Sequence, residues 1–405
     1  MTAIISPVSI PATQSPRLKS LPPLSLYIHI PWCMKKCPYC DFNSHEVRGG
    51  NGNVPEAEYV TALIRDLETA LPQIWGRSVT SVFFGGGTPS LFSARSIDAI
   101  LTAVRALLPL EHFAEVTLEA NPGTFEVRKF ADFRAAGINR LSIGIQSFNP
   151  RHLRSLGRIH DGGEAHRAIE IAQENFDNVN LDLMYALPHQ TIEEARSDIE
   201  TAAAYSVSHI SAYHLTLEPN TLFHRYPPPL PDNDLAAEMQ MMIEQTLAQG
   251  GYLNYETSAF AQPGRESRHN MNYWLFGDYL GIGAGAHSKI SFADRMVRQM
   301  RYKQPGDYLA KTSPDMAAFD SPIMEQHEVA QNDRGFEFMM NALRLTGGFA
   351  TEMFSERTGL PIDSIELQLD EAERRRLITR DYQRIAPTLA GRRFLNDLLQ
   401  IFLPE

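Results

Sequence analysis

Cysteine is scarce in this sequence: three stand among 405 residues, at positions 33, 37 and 40. An odd, clustered set cannot build the disulfide framework of a secreted protein, so the three are read as a site. No apolar run approaches the ~18 residues that a membrane-spanning helix needs. The N-terminus also lacks the basic-then-apolar pattern of a secretory signal, and a cytoplasmic location is expected. Basic residues are the minority, 37 Lys and Arg against 48 Asp and Glu, for a formal net charge of −11. Such a surface repels nucleic-acid phosphates and anionic headgroups, so no nucleic-acid partner is expected.

What the chain does have is an ordinary globular balance, 43% hydrophobic and 21% charged. Its length fits one α/β barrel-like domain of roughly 250–300 residues with a small appendage. Residues 1–23, with Pro7, Pro11, Pro16, Pro22 and Pro23 among Ser, Thr and Ala, are expected to form a disordered tail. From Leu24 strand-like and helix-like segments alternate about six times, as βα units of a parallel sheet do. Strands are predicted at Leu24–Ile30, Val79–Phe84, Val116–Leu118, Leu141–Ile145, Val179–Met184 and Ile210–Leu217. Helices fall between them, one ending at a Gly137 cap. A Met-rich helix over Glu238–Leu247 is expected to be core packing. The stretch Tyr252–Ile290 is read as irregular, and its His, Tyr, Trp and Asn residues mark a candidate site.

A break near Pro314–Pro322 is expected to end the large domain, taken as 24–313. Residues 314–405 read as helix, helix, helix and a two-stranded wing, a winged-helix-like order whose many acidic residues favour protein contact over DNA.

The cysteines read Cys33-Met-Lys-Lys-Cys37-Pro-Tyr39-Cys40, just past the first strand. Three thiolates can hold three irons of a cubane and leave the fourth open to a chelating ligand. A zinc site completed by His29 or His45, or a thioredoxin-like redox pair, are the alternatives. Polar residues recur where strands end, the reactive face of a barrel. Gly85-Gly86-Gly87 follows the second strand, Glu119 ends the third and Gln146 follows the fourth. Asp182 interrupts the apolar fifth, and a carboxylate in a buried strand needs a partner or a function.

The cysteine spacing together with Gly85-Gly86-Gly87-Thr88-Pro89 resembles the radical S-adenosylmethionine (SAM) superfamily. Tyr27-Ile-His29-Ile-Pro31 and Cys40-Asp41-Phe42-Asn43-Ser44 narrow the resemblance to its coproporphyrinogen oxidase (HemN) and HemW branch. The resemblance implies an α/β fold, an incomplete (β/α)6 barrel with a small C-terminal winged-helix-like domain. It implies a [4Fe–4S] cluster on Cys33, Cys37 and Cys40, with SAM held by Tyr27, Gly86 and Glu119. Tyr39, Gly87, Thr88, Gln146, Arg158 and Asp182 complete the cofactor-binding set it implies.

Two departures separate this chain from the oxidases. Phe42 stands where they carry a further cysteine, and polar His214 and His287 stand at two positions of their second SAM site. His269-Asn270-Met271-Asn272-Tyr273-Trp274 resembles instead a signature of the HemW heme chaperones. That resemblance implies heme as a further ligand, His269 as its binding residue, hemoproteins as recipients and a flavodoxin- or ferredoxin-like electron donor. Any association with a membrane is expected to come through those partners. From the residues alone, His269 satisfied by backbone within a loop is the alternative. An oxygen-independent coproporphyrinogen III oxidase and an iron- or SAM-responsive regulatory module are the rival functions.

Overall fold

The structure is a computed structural model that describes residues 17–47, 54–74, 76–123, 127–313 and 321–404. Six strands run parallel in chain order: β1 (Leu24–Ile30), β2 (Val79–Gly86), β3 (Leu110–Ala120), β4 (Arg140–Gln146), β5 (Val179–Tyr185) and β6 (His209–His214). Between them lie α1 (Glu56–Ile74), α2 (Ala94–Leu107), α3 (Phe130–Ala136), α4 (Pro150–Ser155), α5 (Gly162–Asn175) and α6 (Ile192–Ala204).

Strand alternation sorts the sheet into two unlike faces. On β1, Leu24, Leu26, Ile28 and Ile30 point to the helices and are at most 1% exposed. Ser25, Tyr27 and His29 point the other way, into the curl of the sheet, where Ser81, Thr117, Arg140, Asn180, His209 and Ser211 are also buried. The apolar core therefore lies outside, under the helices, and the interior is polar. Capping places the helices: Ser93 accepts from the Ser96 amide at the start of α2, while Asp161–Glu164 and Thr191–Glu194 form capping boxes on α5 and α6. Gly137 ends α3 at φ 110°, as its position predicts.

Further along lie α7 (Leu222–Arg225) and the Met-bearing α8 (Asn233–Gln249), where Met239 and Met242 are buried and Met241 is exposed. The stretch read as irregular is largely regular. β7 (Leu253–Glu256) and β8 (Ala259–Ala261) extend the β6 edge antiparallel. After α9 (Arg268–Trp274), β9 (Asp278–Ile282) lies parallel to β1 on the other side. β10 (His287–Ser291), β11 (Met296–Arg301) and β12 (Ile323–Glu328) then continue antiparallel. The result is one open twelve-stranded sheet, β12-β11-β10-β9-β1-β2-β3-β4-β5-β6-β8-β7. Glycine hid this regularity: Gly283, at φ 102°, passes the His29 carbonyl so closely that a Cβ would lie 2.4 Å from the oxygen.

The C-terminal part has its own core of Phe338, Phe349, Phe354, Leu369 and Ile385. It holds α10 (Pro305–Lys311) at its approach, α11 (Gln331–Ala342), α12 (Thr351–Thr358), α13 (Glu366–Arg374) and a three-stranded sheet of Phe349–Ala350, Arg384–Pro387 and Ile378–Arg380, one strand more than expected. The change of architecture comes after Glu328, later than the expected boundary at 314, because β12 still pairs with β11. Most of the expected break, residues 314–320, lies outside the described residues, as do residues 1–16 of the expected tail. Residues 17–23 are held: Leu18 is buried in the C-terminal core and its amide donates to the Ala293 carbonyl at 2.8 Å. Among the described residues no helix is long and apolar enough to cross a membrane.

Candidate functional site

The three cysteines lie on the loop that leaves β1, at the C-terminal ends of the parallel strands. Trp32–Cys33 bridges to His45–Glu46, closing the loop on itself. Lys36 ties it further by donating to the carbonyls of Phe42 (3.3 Å) and Ser44 (3.1 Å). All three thiols are free, half-buried, and line one cavity of about 360 Å³. Thr88 Oγ1 donates to Cys33 Sγ at 3.6 Å, and Arg158 Nη1 to Cys37 Sγ at 3.8 Å. Burial pushes the Cys33 thiol up to about 11, so loading a metal there must release a proton.

The donor set suits a cubane, and of the two possible fourth ligands of a lone zinc ion only His45 has a ring nitrogen, Nε2, without a hydrogen-bond partner among the described residues. His29, one of the two possible fourth ligands, has both ring nitrogens engaged. Its Nε2 donates to the Asn43 carbonyl (2.9 Å) and its Nδ1 therefore accepts from the Tyr27 hydroxyl (2.9 Å). Among the described residues no three His, Cys, Asp or Glu side chains converge on one metal position. Thiols that each take a different iron need no such convergence.

The same cavity collects Tyr39, Gly86, Gly87, Thr88, Glu119, Gln146, Arg158 and Asp182. Arg158 anchors its wall, donating to Asn121 Oδ1 (2.6 Å) and the Gly144 carbonyl (2.7 Å) beside Cys37. Asn121 in turn donates to Thr88 Oγ1 at 3.0 Å, joining the β2 and β3 ends to Arg158. Sequence reading gave Asn121 no role; its place just past a strand end was the available signal. Asp182 accepts from Ser142 and Asn180, each at 2.9 Å, so it is a paired carboxyl as well as a lining one. Gln146 sits at φ 66°, a left-handed conformation rare outside glycine. Gly86, at φ 117°, donates its amide to Glu119 Oε2 at 3.2 Å. Its missing side chain makes room for protein: a Cβ would lie 2.6 Å from the His29 ring. Tyr27 is not on this cavity but on a neighbouring one that shares Phe42, Gly86 and Glu119 with it.

Burial, reinforced by Asp182, pushes the Glu119 carboxyl up to about 8. The metal-free fold thus keeps a proton that the unfolded chain loses near pH ~4.3. Stability from the neutral acid is complete below that value and is lost as pH rises through about 8, by roughly 3–5 kcal/mol. Glu119→Gln should flatten this decline in urea midpoints measured between pH 5 and 9. An unchanged slope in the variant would show that Glu119 is not the group responsible.

His269 is not at the cavity mouth. It lies on α9, which Ser267 caps by accepting from the Asn270 amide, and is 2% exposed beneath the inner face of β2. Its ring stacks on Phe83 (centroids 4.8 Å apart), and Nδ1 lies 3.1 Å from Ser81 Oγ. Nε2 is buried with no hydrogen-bond partner among the described residues. Burial lowers its proton affinity to about 3, so the ring is neutral. The reason is spacing: His269 and Tyr273 are four apart and share one helical face, with ring centroids 5.0 Å apart. Trp274 turns instead toward the C-terminal part, under the Arg344 guanidinium at 4.3 Å. A macrocycle cannot reach His269 Nε2 unless α9 lifts off β2. His214 lines the cysteine cavity and His287 the neighbouring one.

Residues 27–202 match the radical SAM superfamily model and residues 329–394 the HemN C-terminal domain model. Heme chaperone HemW of Escherichia coli (strain K12) is 46% identical, over 95% of this chain and 99% of that protein. The chain belongs to the HemW family. HemW of Bacillus subtilis (strain 168) is 32% identical over 94% of this chain and 99% of its own length. The solved coproporphyrinogen III oxidase (HemN) of Escherichia coli superposes with a TM-score of 0.78, covering 94% of this chain and 90% of that one. At 23% identity that likeness establishes for this HemW family member the radical SAM α/β fold.

Proposed function

We propose that this chain is a heme chaperone that binds heme and passes it to respiratory hemoproteins, and that it carries a [4Fe–4S] cluster and SAM. The observation that carries the reading is similarity to proteins named heme chaperone over 99% of the Escherichia coli relative's length. Cys33, Cys37 and Cys40 would hold the cluster. Tyr27, Tyr39, Gly86, Gly87, Thr88, Glu119, Gln146, Arg158 and Asp182 would surround SAM. When bound, the cluster supplies single electrons to SAM, drawn from a flavodoxin- or ferredoxin-like donor.

The chain's own residues then have separable tasks. Arg158 donates to Cys37 Sγ and so fixes the position of that sulfur against the cavity wall. Glu119, held neutral, can donate a hydrogen bond where a carboxylate could only accept. Three free thiols call for a reducing compartment, which supports a cytoplasmic site of action.

Anaerobically reconstituted protein, loaded with heme and mixed with an apo-hemoprotein, is expected to bind heme saturably and hand it over. Formation of a divinyl porphyrin from coproporphyrinogen III, without saturable heme binding, would replace this reading with the oxidase.

A further inference from the structure

The cavity beside the cysteine site has its own chemistry. It encloses about 320 Å³, and four aromatic rings line it: Tyr27, Phe42, Tyr273 and Tyr279. Tyr273 and Tyr279 lie with ring centroids 4.4 Å apart, and Phe42 is 60% exposed at the rim shared with the cysteine cavity. Such a cleft offers flat apolar surface to a flat ligand.

Its one unengaged imidazole is His287. His29 spends both nitrogens on Tyr27 and Asn43, whereas the His287 ring is only partly covered and makes no hydrogen bond among the described residues. Burial and the neighbouring Lys303 and Arg298 lower its proton affinity, which keeps a nitrogen lone pair available to a metal.

The cleft is also flanked by positive charge. Arg298 donates to the Tyr279 hydroxyl at 2.8 Å while pairing with Glu337. Lys303 is exposed, and its carbonyl accepts from the amide of the lining residue Asn43 at 2.9 Å. Aromatic walls, a free imidazole and the nearby Lys303 ammonium, with Arg298 already paired to Glu337, match a planar macrocycle that carries a metal at its centre and carboxylates at its edge.

We propose that the part of this cleft beyond Tyr27, Gly86 and Glu119, which are left to SAM, is the heme seat, with His287 as axial ligand, Phe42, Tyr273 and Tyr279 against the macrocycle, and Lys303 toward the propionates. The proposal rests on the heme-chaperone reading and locates its site. It also gives the His269–Trp274 segment a divided role. Tyr273 faces heme, while His269, wedged between Phe83 and Tyr273, positions that ring from behind.

The test is a Soret titration of the anaerobically reconstituted full chain with hemin, iron and sulfide content being measured in parallel. His287→Ala is expected to weaken hemin binding about tenfold or more and to change the axial-ligand spectrum, with cluster content intact. Lys303→Glu is expected to weaken hemin but not hemin dimethyl ester, whose edge carries no charge. His214→Ala, on the cysteine cavity, should bind as the unaltered chain does. A native spectrum and affinity in His287→Ala, or loss in His214→Ala instead, overturns the seat and leaves the chaperone reading standing. Equal hemin affinity in Lys303→Glu overturns the placement of the propionates. An unaltered chain that binds no hemin saturably overturns the chaperone reading itself, and the seat with it.

Discussion

Replacing any one of Cys33, Cys37 or Cys40 by alanine is expected to take the anaerobically reconstituted protein from about four irons and four sulfides per chain to almost none. The expectation follows from scarcity: the sequence holds three cysteines, so no fourth thiol can move in. Nearby polar side chains are poor substitutes. Ser44 lies 3.8 Å from Cys40 Sγ and Thr88 3.6 Å from Cys33 Sγ, but hydroxyls are weak ligands for soft iron. The fold should survive, because the loop lies at the strand ends and the cysteines belong to none of the apolar cores. Unfolding midpoints of the metal-free variants should therefore stay within ~1 kcal/mol of the unaltered chain. A full complement of iron in any single variant would contradict the assignment.

The cysteine site was legible because its information is local. Strand alternation at Leu24–Ile30 fixes where the first loop begins, and the spacing from Cys33 to Cys40 is a property of neighbours in the chain. The strand-end residues Gly86, Glu119 and Gln146, and Asp182 within its strand, were placed the same way, and the structure gathers all four around one cavity. What sequence did not show is which face a residue takes when two elements share it. Tyr27 stands within the strand Leu24–Ile30 and the resemblance groups it with the other SAM residues, yet His29 holds its hydroxyl in the neighbouring cavity. His269 reads as a loop histidine because Gly277, Gly281, Gly283 and Gly285 follow it. Gly281 and Gly283 mark close approaches to the backbone carbonyls of His287 and His29, Gly277 and Gly285 make room for the Asn272 and Asn43 side chains, and the segment before them is a helix packed under β2.

The second large effect is expected at Asp278, which lines neither cavity. Its carboxylate is fully buried at the start of β9, accepting from Lys289 Nζ (3.0 Å) and Ser291 Oγ (2.8 Å) on one oxygen. The other oxygen takes Arg77 Nη1 (2.8 Å) and the Ser291 amide (2.9 Å). Burial alone would raise this carboxyl, but the charges of Lys289 and Arg77 outweigh it and hold it below the usual carboxylate range. Lys289 is as deeply buried and rests 4.0 Å from the Phe276 ring centroid, where the sheet meets the C-terminal core. Asp278→Ala strands the ammonium without a counter-charge, at a cost of ~3–5 kcal/mol, and should lower the thermal midpoint by roughly 5–15 °C. Asp278→Ala combined with Lys289→Met should regain much of that loss, because the penalty lies in the unpaired charge more than in the missing contact. The single variant should also lose hemin affinity before it loses cluster content. Tyr279, the next residue, is a wall of the proposed seat, whereas the cysteine loop is anchored through β1 and β2. An unchanged midpoint in Asp278→Ala would mean that Lys289 finds water or another partner, and the buried pair would then not be what fastens β9 to the rest of the sheet.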